Sequence, residues 1–150
     1  MKRRRLPNDR KSITHKFTVG DQEGYLIVGL YEDGSPGELF ITASKQGSTV
    51  SGLADAVAIM VSLALQYGVP LEAIIDKFKH TRYDPSGMTG NAKIPLTSSL
   101  MDYVSRWLEL KFIPNVEPVK VASGVSCPDC GALMIHEEGC LKCLCGYSKC

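Results

Sequence analysis

The stretch SITHKFTVGDQEGYLIVGLYEDGSPGELFITAS, residues 12–44, decides the fold class. In SITHKFTV, residues 12–19, polar and apolar side chains alternate, so Ile13, His15, Phe17 and Val19 share one face of a half-buried strand. GDQEG supplies a turn and YLIVGLYE, residues 25–32, reads as a second strand. DGSPG at 33–37 is a second turn, because glycine and proline supply turn conformations there. ELFITAS, residues 38–44, is the third strand. Short branched and aromatic runs at this spacing predict an antiparallel meander.

Downstream the period changes from two to that of a helix. Ser48 or Thr49 can cap a helix reaching about Tyr67, where Gly68 and Pro70 stop it. Its middle is apolar nearly all round, which predicts a helix buried against the sheet. LEAIIDKF, residues 71–78, is a second helix, and KHTRYDPSGMTGNAKIP, residues 79–95, reads as irregular. TSSLMDYVSRWLELKF, residues 97–112, forms a third helix capped by Thr97 or Ser98. Leu100, Val104, Trp107, Leu108 and Leu110 make its apolar stripe. The expected class is therefore α+β, a small antiparallel sheet packed by about three helices. Residues 113–126 carry prolines and a glycine and read as a linker, whose random-coil reach is roughly 20 Å.

On either side of residues 12–112 the composition departs from that of a domain. Residues 1–11 crowd Lys2, Arg3, Arg4, Arg5, Arg10 and Lys11 against Asp9 and read as a solvated basic arm. Net charge for the whole chain is only +1 and aromatics are 7%, which argues against a dedicated nucleic-acid binder. The basic start leads into no apolar leader, and the apolar run 53–65 contains Asp55 and Ser62 and is short for a bilayer span. The expected setting is the cytoplasm, with no membrane partner.

All six cysteines lie in CPDCGALMIHEEGCLKCLCGYSKC, residues 127–150. In a reducing cytosol such clustering means metal or redox chemistry before structural disulfides. The tail is too small to bury a core and needs a metal or crosslinks for order. Cys127 with Cys130, and Cys140 with Cys143, are two C-x2-C pairs that fit the corners of a zinc tetrahedron. That partition leaves Cys145 and Cys150 as a terminal dithiol, with Lys142 and Lys149 nearby to favour the thiolate. A competing partition takes Cys145 as the fourth ligand, at the cost of a C-x-C bite with Cys143 one residue short of the usual spacing. His136 is expected in a solvent-facing loop rather than on a metal.

Beside these candidates stand several bland ones. His80, Arg82 and Asp84 are expected in a loop-stabilising network, GSTVSG (residues 47–52) in a helix cap, and His15 and Trp107 in the packed interior.

RRRLPNDRKSITHKF, EGYLIVGLYEDGSPGELFI, GSTVSGLADAVAIMVSLALQYGVPLEAIIDKF and HTRYDPSGMTGNAKIPLTSSLMDYVSRWLELKF resemble the C-terminal region of adenosylcobalamin-dependent (class II) ribonucleotide reductases, a TSCPD domain followed by a cysteine-rich tail. The resemblance covers roughly residues 3–150. It implies a part in making deoxyribonucleotides by radical reduction of ribonucleoside diphosphates, a chemistry that leaves a disulfide in the active site. It further implies a C-terminal cysteine pair that re-reduces that disulfide and is restored by a thioredoxin- or glutaredoxin-like protein. Cys145 and Cys150 match that pair by position, although the family commonly has C-x2-C where this chain has Cys143-x-Cys145. The radical-bearing barrel and the cobalamin site belong, in the family, to chain preceding this region. The resemblance thus implies a component that works only with a catalytic chain. The alternative is a non-enzymatic zinc-ribbon module binding nucleic acid or a protein.

Overall fold

The computed structural model describes residues 1–43, 48–116, 122–137, 140–143 and 145–150. The chain divides into two compact units, Met1–Val116 and Glu117–Cys150.

In the first unit, β1 (Ser12–Val19), β2 (Gln22–Leu30) and β3 (Pro36–Ala43) form an antiparallel sheet in that order. The register runs from Ser12↔Gly29 to Val19↔Gln22 and from Gly24↔Ala43 to Gly29↔Glu38, with an irregularity at Gly29/Leu30. Strand alternation sends Phe17, Val19, Leu26, Val28, Leu39 and Ile41 to one face, where all are buried. Tyr25 and Phe40 remain exposed.

Helix α1 (Thr49–Gln66) packs along β3. Ser48 caps it, its side chain accepting from the Ser51 amide. Ala54, Ala58 and Val61 are buried in the core, and the Ser62 hydroxyl bonds the backbone of Leu39. The helix lies against the sheet as expected, but only by this face, although its middle is apolar nearly all round: Leu53, Ile59 and Met60 are more than half exposed. Contrary to the expectation of too short a run, the helix is by length and composition apolar enough to cross a bilayer. Its small buried side chains and the Ser62 bonds fit it to the sheet instead.

Helix α2 (Leu71–Phe78) buries Leu71, Ile74 and Ile75, and α3 (Leu100–Phe112) buries Tyr103, Val104, Trp107 and Leu108. The two pack on one another and complete the core. His15 is packed as expected, stacked 4.9 Å from the Trp107 ring and hydrogen-bonded to the Tyr103 hydroxyl.

The segment expected to be irregular contains a hairpin, β4 (Gly87–Asn91) and β5 (Ile94–Thr97). Two glycines and a proline hide it from a pattern of side chains, yet Ile94 is fully buried in the core and Thr89 Oγ1 donates to the Ile94 carbonyl. The cap of α3 is Ser99, not Thr97 or Ser98; its hydroxyl accepts from the Asp102 amide at 3.0 Å.

The basic arm is not free. The Arg4 amide donates to the Gln66 carbonyl, Arg3 bonds the Gln66 side chain, and Arg10 pairs with Glu38 at 2.5 Å. The Arg4 guanidinium also lies 3.9 Å from the centre of the Tyr31 ring. Half of the arm's basic residues thus serve the fold, which weakens the picture of a nucleic-acid-binding arm.

In the second unit β6 (Ala122–Ser126), β7 (Leu133–Glu137), β8 (Cys140–Lys142) and β9 (Ser148–Lys149) form an antiparallel sheet in chain order. The end of the expected linker is therefore strand: Ala122 pairs Ile135 and Ser126 pairs Leu133. Residues 117–121 of that linker lie outside the described residues. His136 is on β7 rather than in a loop, and its side chain lies outside the described residues.

Candidate metal centre and cysteine pair

The tail's two turns converge. In the first, the Gly131 amide donates to the Cys127 carbonyl and the Cys127 amide to the Ala132 carbonyl, with Gly131 at φ +74°. The second repeats the design: Gly146, at φ +101°, donates to the Cys143 carbonyl, and the Cys143 amide to the Tyr147 carbonyl. Left-handed glycine lets the chain double back within one turn. Each turn thereby points two sulfurs at the other.

The result is a cluster of Cys127, Cys130, Cys143 and Cys145, whose sulfurs all lie within 4.8 Å of one another. Cys127 Sγ is 3.7 Å from Cys145 Sγ and Cys130 Sγ is 3.4 Å from Cys143 Sγ. A zinc tetrahedron with Zn–S about 2.3 Å has sulfur–sulfur edges of about 3.8 Å. The four sulfurs fit that ion, with small adjustment. Among the described residues, the tail's apolar interior is Cys127, Met134 and Cys143, edged by Leu141 and Tyr147. So small a core needs support from a ligand.

Electrostatics fit the same use. Burial opposes ionisation of Cys127, but the amides of Cys130 and Asp129 and the neighbouring thiols bring its pKa down to about 7. At Cys143 the Cys145 amide favours the thiolate, yet the crowded Cys130, Cys145 and Cys127 thiols push the pKa up to about 12. Cys145 is also raised; the Tyr147 amide works against burial and the Cys130 and Cys127 thiols there. Four sulfurs at these separations cannot all carry charge without a cation among them.

The remaining two cysteines are joined: Cys140 and Cys150 form a disulfide. The structure therefore groups the six in the manner of the competing partition. Cys145 stands with Cys127, Cys130 and Cys143. Cys140, expected beside Cys143 on the metal, stands outside the cluster with Cys150. The physical reason is the turn: the Gly146 conformation lets a C-x-C bite present both sulfurs on one side. The expected pair of Cys145 with Cys150 is not formed.

Of the other residues singled out in the sequence, His80, Arg82 and Asp84 line an open cavity of about 730 Å³ with Arg106. The group that organises this segment is Asp102, which pattern reading missed. Its buried carboxylate accepts from the His80 amide at 2.7 Å, Thr97 Oγ1 at 2.8 Å, Ser98 and Arg106 Nη2 at 2.9 Å. Burial alone would raise its pKa; these donors hold it below the ordinary carboxylate value. An acidic residue in an otherwise apolar helical stripe, three residues after a serine cap, was the available signal.

One α+β unit and a second unit holding a four-thiol cluster and a cross-linked cysteine pair define a two-part, thiol-bearing protein. Residues 1–112 match the TSCPD domain, and the chain belongs to that family. It is similar to the vitamin B12-dependent ribonucleotide reductase of Rhodopirellula baltica, 49% identical over 125 residues, which are 83% of this chain and 12% of that relative. The protein of the same name from Streptomyces avermitilis is 48% identical over 112 residues, 75% of this chain and 12% of the relative. That from Bradyrhizobium diazoefficiens is 42% identical over 116 residues, 77% and 9%. The chain thus spans about a tenth of the length of these relatives. No solved structure matches it.

Proposed function

We propose that this chain supplies the TSCPD domain and thiol tail of a vitamin B12-dependent reductase that makes deoxyribonucleotides from ribonucleoside diphosphates in the cytoplasm. The observation that carries the proposal is the division of the six cysteines into a four-thiol cluster and a separate cross-linked pair. Identity of 42–49% to proteins named vitamin B12-dependent ribonucleotide reductase supports it.

In this proposal Cys127, Cys130, Cys143 and Cys145 hold zinc, whose role is to fold the tail. Cys140 and Cys150, in place of the Cys145 and Cys150 expected from the resemblance, are the working dithiol. One of their thiolates attacks a sulfur of the active-site disulfide on the catalytic chain, forming a mixed disulfide and releasing one thiolate there. The second then attacks the mixed disulfide, so that the catalytic chain recovers two thiols and the tail is left with the Cys140–Cys150 disulfide. A thioredoxin- or glutaredoxin-like dithiol returns the tail to its reduced form by the same exchange. Adenosylcobalamin and the radical chemistry belong to the catalytic chain. The body of this chain has no cysteine before residue 127, so the chain alone is inactive.

The test adds the full chain to a catalytic chain lacking its own tail and follows thioredoxin-driven deoxynucleotide formation. The expected result is stimulation that is lost in Cys140→Ser and in Cys150→Ser. No stimulation, or stimulation that survives Cys150→Ser, overturns the proposal.

A further inference from the structure

The disulfide and the second metal knuckle are two ends of one hairpin. β8 pairs β9 through Leu141↔Lys149 and Lys142↔Ser148. Carried one step outward, the same register sets Cys140 opposite Cys150, whose Cα atoms are 4.2 Å apart. Carried one step inward it sets Cys143 opposite Tyr147, where the Cys143 amide donates to the Tyr147 carbonyl at 2.8 Å. Cys145 sits in the tip.

Among the described residues, β9 is the edge of its sheet and pairs with β8 alone, whereas β8 is also held by β7 through Ile135↔Lys142 and Glu137↔Cys140. A two-stranded end this short is marginal in water on its own. Something at its ends must hold it: the disulfide at the open end, or the four-thiol cluster at the tip. During thiol exchange the disulfide is open for part of every cycle.

We propose that zinc on Cys127, Cys130, Cys143 and Cys145 clamps the tip of this hairpin and so keeps Cys140 and Cys150 in register after their disulfide is reduced. This rests on the metal and dithiol assignments of the proposed function. The clamp raises the effective concentration of one thiol at the other, as any tether of matched geometry does. The pair then closes readily when it delivers its two electrons. It also cannot wander to the ligand cysteines, because their sulfurs are occupied. The half-reaction is one disulfide plus two electrons and two protons giving two thiols, with glutathione as the exchanging couple in the test: two GSH are oxidised to GSSG for each Cys140–Cys150 disulfide reduced.

The experiment equilibrates the zinc-loaded full chain, without oxygen, in graded mixtures of reduced and oxidised glutathione. Free thiols are then alkylated and the Cys140–Cys150 disulfide is read by mass spectrometry. The comparison is the full chain with Cys127, Cys130, Cys143 and Cys145 all replaced by Ser, in which no other intramolecular disulfide can form. The zinc-loaded chain is expected to be half-oxidised at a [GSH]²/[GSSG] ratio about tenfold higher or more than the Ser variant. Equal ratios, or oxidation of the zinc-loaded chain on a different pair, overturn the proposal. A second variant, Lys149→Pro, removes the β9 ladder donor of the Leu141↔Lys149 pair, which alternates with the bonded Cys143–Tyr147 position, and keeps all six cysteines. It is expected to keep its zinc and to lose the advantage in ratio; zinc retention with an unchanged ratio also overturns the proposal. No catalytic chain is present, so a failure here leaves the shuttle role standing, and a failure to stimulate the reductase leaves the clamp standing.

Discussion

Cys127 and Cys145 are eighteen residues apart in the chain, and their sulfurs are 3.7 Å apart. That approach moves Cys145 from the redox-pair role first expected for it into the four-thiol cluster, and it leaves Cys140 to Cys150.

Metal binding should release protons and weaken in acid. Thiolates are the ligands, and protons compete for them. With Cys127 at about 7 and Cys143 at about 12, the affinity for Zn(II) falls as pH is lowered, most visibly once Cys127 itself protonates below about pH 7. Competition with a chromophoric chelator between pH 8 and 6 measures this. An affinity independent of pH would show that thiols are not the ligands.

Stripping the metal should affect one unit only. The tail's interior is Cys127, Met134 and Cys143, whereas the core of the first unit runs through its sheet and three helices. Hydrogen exchange with and without a strong chelator is expected to show loss of protection in residues 122–150 and none in residues 12–112. Replacing Gly146, at φ +101°, by Ala strains the second turn and is expected to weaken Zn(II) binding in the same way.

Asp102 should matter more to stability than any acid on the surface. It is 2% exposed and pairs with Arg106 while receiving the His80 and Ser98 amides. Removing one partner of a buried pair costs about 3–5 kcal/mol, so Asp102→Ala is expected to lose about that much in urea unfolding. Thr97→Val, which deletes a single donor, should cost about 1 kcal/mol. Because the folded pKa of Asp102 lies below the unfolded value, its contribution is complete above about pH 4 and is lost as pH falls through the folded value.

His15 should give a separate acid limb. Burial, then the charge of Lys111, lowers its pKa below the ordinary imidazole value of about 6.5. The unfolded chain therefore takes up the proton first on acidification. Stability is full above about pH 6.5 and declines below it until the folded value is passed. In His15→Gln the melting temperature should be flatter between pH 7 and 5; a slope equal to that of the unmodified chain would assign the decline elsewhere.

Much of the first unit was legible because side-chain period reports directly on burial. Ile13, His15, Phe17 and Val19 alternate in sequence as they do in the sheet, and Trp107 falls on the buried stripe of α3. The β4–β5 hairpin was not legible: Gly87, Gly90 and Pro95 signal a loop, and the order comes from Ile94 in the core and from hydrogen bonds. The cap of α3 moved to Ser99 because Thr97 and Ser98 are spent on the Asp102 carboxylate. In the tail, residue spacing announced thiol chemistry and a metal geometry, but it could not divide six cysteines. Spacing measures contour along the chain, whereas the division depends on which turn the backbone makes, and Gly146 decides that turn.

The division itself is tested most directly by the zinc content of single-cysteine variants of the full chain, each reconstituted with Zn(II), dialysed and measured by atomic emission. Cys140→Ser and Cys150→Ser are expected to keep the metal at the level of the unmodified chain, and Cys145→Ser to lose it. Retention in Cys145→Ser together with loss in Cys140→Ser would contradict the account and return Cys140 to the metal.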